Sequence, residues 1–304
     1  MVIIFGAGII GLFLAHELLK KGKKVKIFDT NTIKGKSTDA SVGMLAPLIE
    51  AKPQEKKIFY LMNESKGLWE KLQKNQEFSK KVGLKSNSSL MVALNKDDEE
   101  KLKFKKKFFE IMGFQTSLLT PKETLNKEPN LNSNVTASLF CKKQDQVNPV
   151  SLKNFLHKEI LKLGGEIIIG RKINKIEVKK NRVLFNDKSF NYQKIVISCG
   201  TWSNEIIYNS FGIKIPLRPI KGMSILLKTS LQTFKHNLWF RNIYIAQREN
   251  GILAIGATEE DKGLESSIRM DELYYLINSL WESMPKLEEL ELKEIKVGLR
   301  PSVF

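Results

Sequence analysis

The first thirty residues contain the pattern that most restricts the fold. The apolar run Val2–Phe5 has the length and character of a buried parallel strand. It leads directly into Gly6–Gly11, whose glycines follow a G-x-G-x-x-G spacing, and apolar residues then recur at helical spacing as far as Gly22. A second apolar run, Val25–Phe28, ends in Asp29. Strand, glycine turn, helix and second strand together predict a βαβ unit.

Each part of this unit has a task in dinucleotide binding. Gly6 permits a tight turn, Gly8 lets the backbone approach a pyrophosphate, and Gly11 lets the helix pack closely on the strand. The free N–H groups at the helix start would face the phosphates. Asp29 is placed to accept hydrogen bonds from the ribose hydroxyls, which favours FAD or NAD over NADP. The alternative is a glycine-rich turn in an unrelated α/β unit.

A loop of small residues follows and distinguishes between these cofactors. It reads Ser37-Thr38-Asp39-Ala40-Ser41-Val42-Gly43-Met44-Leu45-Ala46-Pro47. The loop resembles that of the D-amino-acid-oxidase superfamily, and its Gly-Met-Leu-Ala-Pro end is similar to the glycine oxidases of thiamine biosynthesis. The resemblance implies FAD as the cofactor, with loop hydroxyls and amides at the pyrophosphate and ribityl chain and with the Gly-Met end against the flavin.

The resemblance extends along almost the whole chain. Val147-Asn148-Pro149 resembles the return to the FAD domain, Cys199-Gly200-Thr201-Trp202 resembles the turn that closes under the cofactor, and residues 216–222 resemble the entry to the substrate domain. It therefore implies the following cofactor-binding residues: Gly6, Gly8, Ile9, Ile10, Gly11, Asp29, Ser37, Thr38, Val42, Gly43, Met44, Ile173 and Gly200.

The fold that we expect is an α/β FAD-binding Rossmann-like domain of the glutathione-reductase type. An inserted α+β substrate domain on a mainly antiparallel sheet completes it. The predicted FAD-binding domain comprises residues 1–82, 139–211 and 296–304, and the predicted substrate domain comprises residues 83–138 and 212–295.

Two residues carry the predicted substrate chemistry. Tyr244 lies in a strand that resembles the family's hairpin, although Gln247 replaces the family's proline, and Arg300 lies in a Gly-Leu-Arg-Pro motif. The resemblance implies that both bind the substrate carboxylate, a role that suits the planar guanidinium. The implied reaction is oxidative deamination of glycine or a small amino acid, with hydride transfer to flavin N5 and with O2 as the oxidant.

The composition argues against several other classes of protein. The net charge is +17, but only seven of the 50 basic residues are Arg and the lysines are scattered, so we expect no nucleic-acid partner. No apolar stretch is long enough for a membrane span, no signal peptide is expected, and no spacing of metal ligands occurs. With Cys141 and Cys199 as its only cysteines, the chain fits a reducing cytoplasm. The oligomeric state stays open, a homo-oligomer included.

The end of the sequence differs from the family pattern. Members of the family continue beyond the position of Arg300 with a further FAD-domain strand, a glycine-rich turn and a closing helix, so we expect one side of the flavin site to be open. The remaining alternatives are a D-amino acid or N-methyl amino acid dehydrogenase of the same fold, and a non-catalytic remnant that binds a nucleotide. A basic nucleic-acid binder is the third, and only the net charge supports it.

Overall fold

The computed structural model describes residues 1–30, 34–170, 176–177, 180–185, 188–229, 234–287 and 290–303. The strands of these residues are β1 Val2–Phe5, β2 Val25–Asp29, β3 Met44–Leu45, β4 Ser89–Ala93, β5 Ser117–Leu119, β6 Ala137–Cys141, β7 Asp145–Gln146, β8 Glu166–Ile169, β9 Arg182–Phe185, β10 Lys188–Asn191, β11 Lys194–Ile197, β12 Leu217–Lys228, β13 Asn237–Trp239, β14 Tyr244–Gln247, β15 Ile252–Gly256 and β16 Glu291–Val303. The helices are α1 Ile9–Lys20, α2 Ser37–Ala40, α3 Pro47–Glu50, α4 Lys56–Gln73, α5 Gln76–Val82, α6 Lys96–Ile111, α7 Pro121–Lys127, α8 Pro149–Lys162, α9 Ser203–Phe211 and α10 Met270–Ser283.

A four-stranded parallel sheet forms the first layer, in the order β11-β1-β2-β8. Its central strand β1 is apolar along its whole length because both faces of the sheet are covered. Ile4 packs on the side of α1 and α8, whereas Ile3 and Phe5 pack on the opposite side with β9 and α9. The predicted βαβ unit is therefore present, with β1, α1 and β2 in the predicted places.

Helix α8 returns the chain to this layer. Pro149 occupies its first turn, and the side chain of Asn148 caps it by accepting hydrogen bonds from the N–H groups of Val150 and Ser151. Its buried face, Leu152, Leu156 and Ile160, repeats at helical spacing and packs in the same cluster as α1. The sequence pattern of this helix thus determines which face meets the sheet.

An eight-stranded sheet forms the second large layer, in the order β16-β12-β15-β14-β13-β4-β6-β5. All its pairings are antiparallel except β13 with β4. Leu276 and Leu280 of α10 pack on one face, in a core cluster with Ile225, Ile245 and Ile255. A parallel sheet between helices and a mainly antiparallel sheet confirm the predicted fold class.

The strand pairings bear on the predicted domain limits. Strand β16 pairs with β12 from Leu217 opposite Val303 to Lys228 opposite Glu291, so residues 296–303 lie in the eight-stranded sheet. Residues 139–141 also lie there, as the end of β6. The predicted limits had put both stretches with the FAD-binding layer. Backbone pairing with β12 places residues 296–303 in this sheet, and backbone pairing with β4 places residues 139–141 there. The division into two domains stays a prediction.

Candidate active site

The glycine turn between β1 and α1 is the tightest part of the first layer. Gly6 has a φ of +100°, and a Cβ atom there would lie 2.4 Å from the carbonyl oxygen of Ser198. A Cβ atom on Gly11 would lie 2.0 Å from the carbonyl oxygen of Gly6. Both positions therefore exclude any side chain. The close contact at Gly11 is the helix–strand approach that the sequence predicted for it.

Asp29 at the end of β2 joins the two strands at this turn. Its carboxylate accepts hydrogen bonds from the N–H groups of Ala7 at 3.0 Å and Thr30 at 2.6 Å, and from Nζ of Lys36 at 3.1 Å. The carboxylate remains partly accessible, and it lines the cavity described next. Lys36 is one residue that the sequence analysis missed, because nothing distinguishes it from the other lysines of the chain.

A cavity of about 420 Å³ opens above the glycine turn. It is lined by most of the residues that the sequence predicted for the cofactor: Gly6, Gly8, Ile9, Ile10, Asp29, Ser37, Thr38 and Gly200. Helix α1 begins beside it, and Gly8 caps that helix without any side-chain hydrogen bond. Phe28, Phe185 and Val196 provide apolar walls. The helix N-terminus and the absence of a side chain at Gly8 suit a pyrophosphate, and the apolar walls suit an adenine ring.

The loop of small residues reaches both this cavity and the eight-stranded sheet. Thr38 Oγ1 accepts a hydrogen bond from the N–H of Ile9 at 3.2 Å, and Ser37 Oγ donates one to the carbonyl oxygen of Leu299 at 2.5 Å. Val42 is buried beside Tyr244, and the partly buried Met44 packs in the same cluster. Val42, Gly43 and Met44 thus lie outside the lining of the cavity, and Val42 and Met44 share a cluster with Tyr244.

Tyr244 and Arg300 lie on different strands of the eight-stranded sheet. The Tyr244 ring stacks on Trp239, with 4.8 Å between the ring centroids. Burial, and then the negative charge of Glu50, raise the pKa of Tyr244 to about 12, while Arg300 opposes the rise. Tyr244 is consequently a neutral hydrogen-bond donor at ordinary pH. Arg300 contacts the carboxylate of Glu259 at 2.6 Å and is exposed at the surface of the site.

Glu50 is the functional candidate that the sequence analysis missed. It ends helix α3, three residues after Pro47. Its carboxylate reaches solvent, yet desolvation by the surrounding protein raises the pKa of Glu50, an effect that the charges of Arg300 and Lys105 oppose. The charges of Glu50 and Arg300 both shift the pKa of Tyr244, and the charge of Arg300 also shifts that of Glu50. We therefore treat the three residues as one candidate site. The only available signal was its position just after the Gly-Met-Leu-Ala-Pro segment.

Ile173 lies outside the described residues, so its predicted place at the adenine stays a prediction. Within the described part of the chain, no group of three or more His, Cys, Asp or Glu side chains is placed to hold a metal ion. The helices described in that same part include none with the length and apolar character needed to cross a bilayer.

The nucleotide-type cavity, the parallel sheet and the adjoining antiparallel sheet define a two-layer flavin oxidoreductase fold. Residues 1–304 match the FAD dependent oxidoreductase family (DAO), and the chain belongs to that family. It is therefore an FAD-dependent oxidoreductase. The predicted cofactor is confirmed at the level of the family.

Within this family, the chain is similar to several oxidases of small amino acids and related amines. A glycine oxidase of Bacillus licheniformis is 24% identical over 306 residues, which cover 98% of this chain and 80% of the relative. The solved structure of glycine oxidase from Geobacillus kaustophilus has a TM-score of 0.89 at 21% identity, covering 99% of this chain and 82% of that one. Iminodiacetate oxidase from Chelativorans sp. BNC1 has a TM-score of 0.85 at 22% identity, covering 100% and 84%. These two structures establish the likeness of fold.

Proposed function

We propose that the protein oxidises glycine or another small amino acid at its Cα atom. One observation supports this proposal above the others: Arg300 binds a carboxylate, that of Glu259, at 2.6 Å, and its charge also acts on the partly buried Tyr244. An arginine that pairs with a protein carboxylate at a solvent-accessible position can exchange it for the carboxylate of a substrate. The glycine oxidase relatives, matched over nearly the whole chain, support the same chemistry.

Arg300 would hold the substrate by its carboxylate. The planar guanidinium can donate two parallel charge-assisted hydrogen bonds, which fix the direction of the amino acid as well as its charge. Tyr244 would donate a further hydrogen bond through its hydroxyl, which stays protonated because its pKa is about 12. Together they would orient the Cα–H bond, and orientation is the main contribution a protein makes to this class of reaction.

The cavity at the glycine turn and the cluster around Val42 indicate which residues would bind FAD. The cavity at Gly6, Gly8 and Asp29 would take the nucleotide half of FAD, and the buried Val42 and its neighbours would adjoin the flavin. When bound, FAD would supply the acceptor for the hydride of the substrate Cα, and dioxygen would then take the two electrons with two protons to give hydrogen peroxide. The substrate, whose ammonium group also loses a proton, would leave as an imine, which water would hydrolyse to an oxo acid and ammonia.

The first experiment is a visible absorption spectrum of the purified protein incubated with FAD, recorded before and after adding glycine without oxygen. We expect a bound flavin spectrum that bleaches with glycine, and a stoichiometric yield of hydrogen peroxide and ammonia once air is admitted. Sarcosine and D-alanine in parallel samples test the N-methyl and D-amino acid alternatives. A flavin spectrum that none of the three bleaches would contradict the proposed reaction while leaving the family unchanged.

The variant Arg300→Lys tests the carboxylate clamp. It keeps the positive charge but loses the bidentate geometry, so we expect kcat/KM for glycine to fall about 100-fold. Arg218→Lys is the matched control, because Arg218 is also exposed, near Arg300 on the adjacent strand, and lies opposite Ser302. Equal kcat/KM values in both variants would show that Arg300 does not bind the substrate.

A further inference from the structure

A second cleft of about 390 Å³ is lined in part by Arg248, whose guanidinium contacts the backbone of Ser41 and Val42. It is bounded by the end of α5, the start of α8, the β14–β15 turn and β16. Its lining shares no residue with that of the cavity at the glycine turn. The proposed oxidation gives this cleft no role.

Positive charge dominates the lining of the cleft. Five basic residues line it, against two acidic ones, Glu249 and Glu294; the basic residues are Lys80, Lys81, Lys85, Arg248 and Lys296. Two of these lysines are paired: Lys296 contacts Glu294 at 3.3 Å and Lys81 contacts Glu77 at 2.6 Å. Among the residues that the structure describes, Lys80 and Lys85 contact no carboxylate within 4.0 Å. The cleft therefore holds more cationic groups than the protein itself neutralises.

Arg248 gives the cleft a specific donor in addition to its charge. Its terminal NH2 group donates to the carbonyl oxygens of Ser41 and Val42, each at 3.3 Å. Its Nε atom is buried and forms no hydrogen bond within the described part of the chain, and the Oε1 atom of the buried Gln146 is likewise unpaired there. Burial lowers the pKa of Arg248, and the charge of Glu294 opposes this. A buried guanidinium N–H without an acceptor is unfavourable.

We propose that this cleft binds a compact anion of the phosphate or carboxylate class, held by Lys80, Lys85 and Arg248. The same guanidinium that meets the anion also holds the backbone of Ser41 and Val42. An anion at Arg248 would therefore contact the same side chain that contacts the backbone of Val42, and Val42 packs in one cluster with Tyr244. The inference goes beyond the proposed function, and it holds whichever amino acid the enzyme oxidises.

Isothermal titration calorimetry of the protein with inorganic phosphate tests this inference. Saturating FAD is present so that the cavity at the glycine turn does not contribute, and NaCl keeps the ionic strength constant because salt screens such contacts. Citrate in a second titration distinguishes a polycarboxylate ligand from a phosphate. We expect saturable binding of one of the two probes, with the tighter probe identifying the ligand class.

The variant Lys80→Gln/Lys85→Gln removes two charges while the backbone hydrogen bonds of Lys85 with Gln146 remain available. We expect the Kd of the tighter probe to rise about tenfold or more, as the loss of charge-assisted hydrogen bonds implies. Lys107→Gln/Lys158→Gln removes the same charge from exposed positions outside the cleft. Absence of saturable binding by either probe, or equal weakening in the two variants, would overturn the proposal.

Discussion

The guanidinium of Arg300 and the carboxylate of Glu259 form an ion pair at 2.6 Å, between β16 and the segment that follows β15. Both side chains are exposed, at 58% and 67%. Pairs of this kind contribute little to stability because water screens them. In the proposed reaction Glu259 competes with the substrate carboxylate for Arg300.

Glu259→Gln should therefore strengthen substrate binding. We expect KM for glycine to fall by about two- to fivefold with kcat unchanged, since an exposed ion pair contributes at most about 1 kcal/mol. Steady-state kinetics of peroxide formation measures this. Glu291→Gln breaks a similar exposed pair with Lys293 on the same strand and should leave KM unchanged. A higher KM in Glu259→Gln would mean that Glu259 positions Arg300 instead of competing with the substrate.

Asp29→Ala should weaken the binding of FAD about 10- to 100-fold. The substitution removes the acceptor for the Ala7 N–H and a carboxylate from the rim of the cavity, and hydrogen bonds to charged groups contribute about 1.5–3 kcal/mol. Quenching of FAD fluorescence on titration with protein gives the affinity. Asp29→Asn retains an acceptor oxygen without the charge, so it should fall between the wild type and Asp29→Ala. Equal affinities in all three proteins would exclude Asp29 from the FAD site.

Gly43→Ala should destabilise the fold by about 2 kcal/mol or more. Gly43 has a φ of +85°, and a Cβ atom there would lie 2.1 Å from the carbonyl oxygen of Val147. Gly212 is the matched control, because its φ is +71° and no atom lies within 4 Å of the added Cβ. Gly212→Ala should lose only the backbone strain, about 1 kcal/mol. Urea unfolding measures both, and an equal loss would show that contact with Val147 adds nothing.

Lys221→Met should destabilise the protein by about 3 kcal/mol at neutral pH. Lys221 and Glu272 are both fully buried and lie 2.8 Å apart, so the substitution leaves a buried carboxylate whose remaining cationic contact, among the described residues, is Lys262 at 3.4 Å. Lys293→Met removes the lysine of an exposed pair and should change the free energy of unfolding little. Urea unfolding of both variants measures the difference, and a loss in Lys221→Met no larger than in Lys293→Met would contradict this.

The same pair predicts a dependence on pH. Burial is the largest single effect and would raise the pKa of Glu272, but the hydrogen bonds with Lys221, Glu260 and Lys262 and the charge of Lys221 together outweigh it, so the pKa is lowered from 4.5. A carboxyl group with a lowered folded-state pKa contributes stability above its unfolded pKa and loses it as the pH falls through the folded value. The difference in stability between the wild type and Lys221→Met should therefore narrow below about pH 4.5. A difference that stays constant down to about pH 3.5 would contradict this.

Local patterns predicted the first layer well. The sequence from Val2 to Asp29 contains the glycine spacing, the helical periodicity and the terminal acid of the βαβ unit, and each depends on neighbours within about thirty residues. The cap of α8 at Asn148 is equally local. Burial on both faces of β1 follows directly from its uninterrupted apolar run. Such features are predictable because the interactions that form them lie close together in the chain.

The sequence by itself thus determined the βαβ unit and the alternation of elements, and its resemblance to a family predicted the roles of Tyr244 and Arg300. Only the tertiary structure placed Glu259 against Arg300, added Glu50 to the same site and gathered the cationic cleft around Arg248. Glu50 and Arg300 lie 250 positions apart in the sequence, and their electrostatic interaction depends on how two layers meet. Charges on separate elements have no periodicity that a sequence displays, so only the packed chain decides which of them meet.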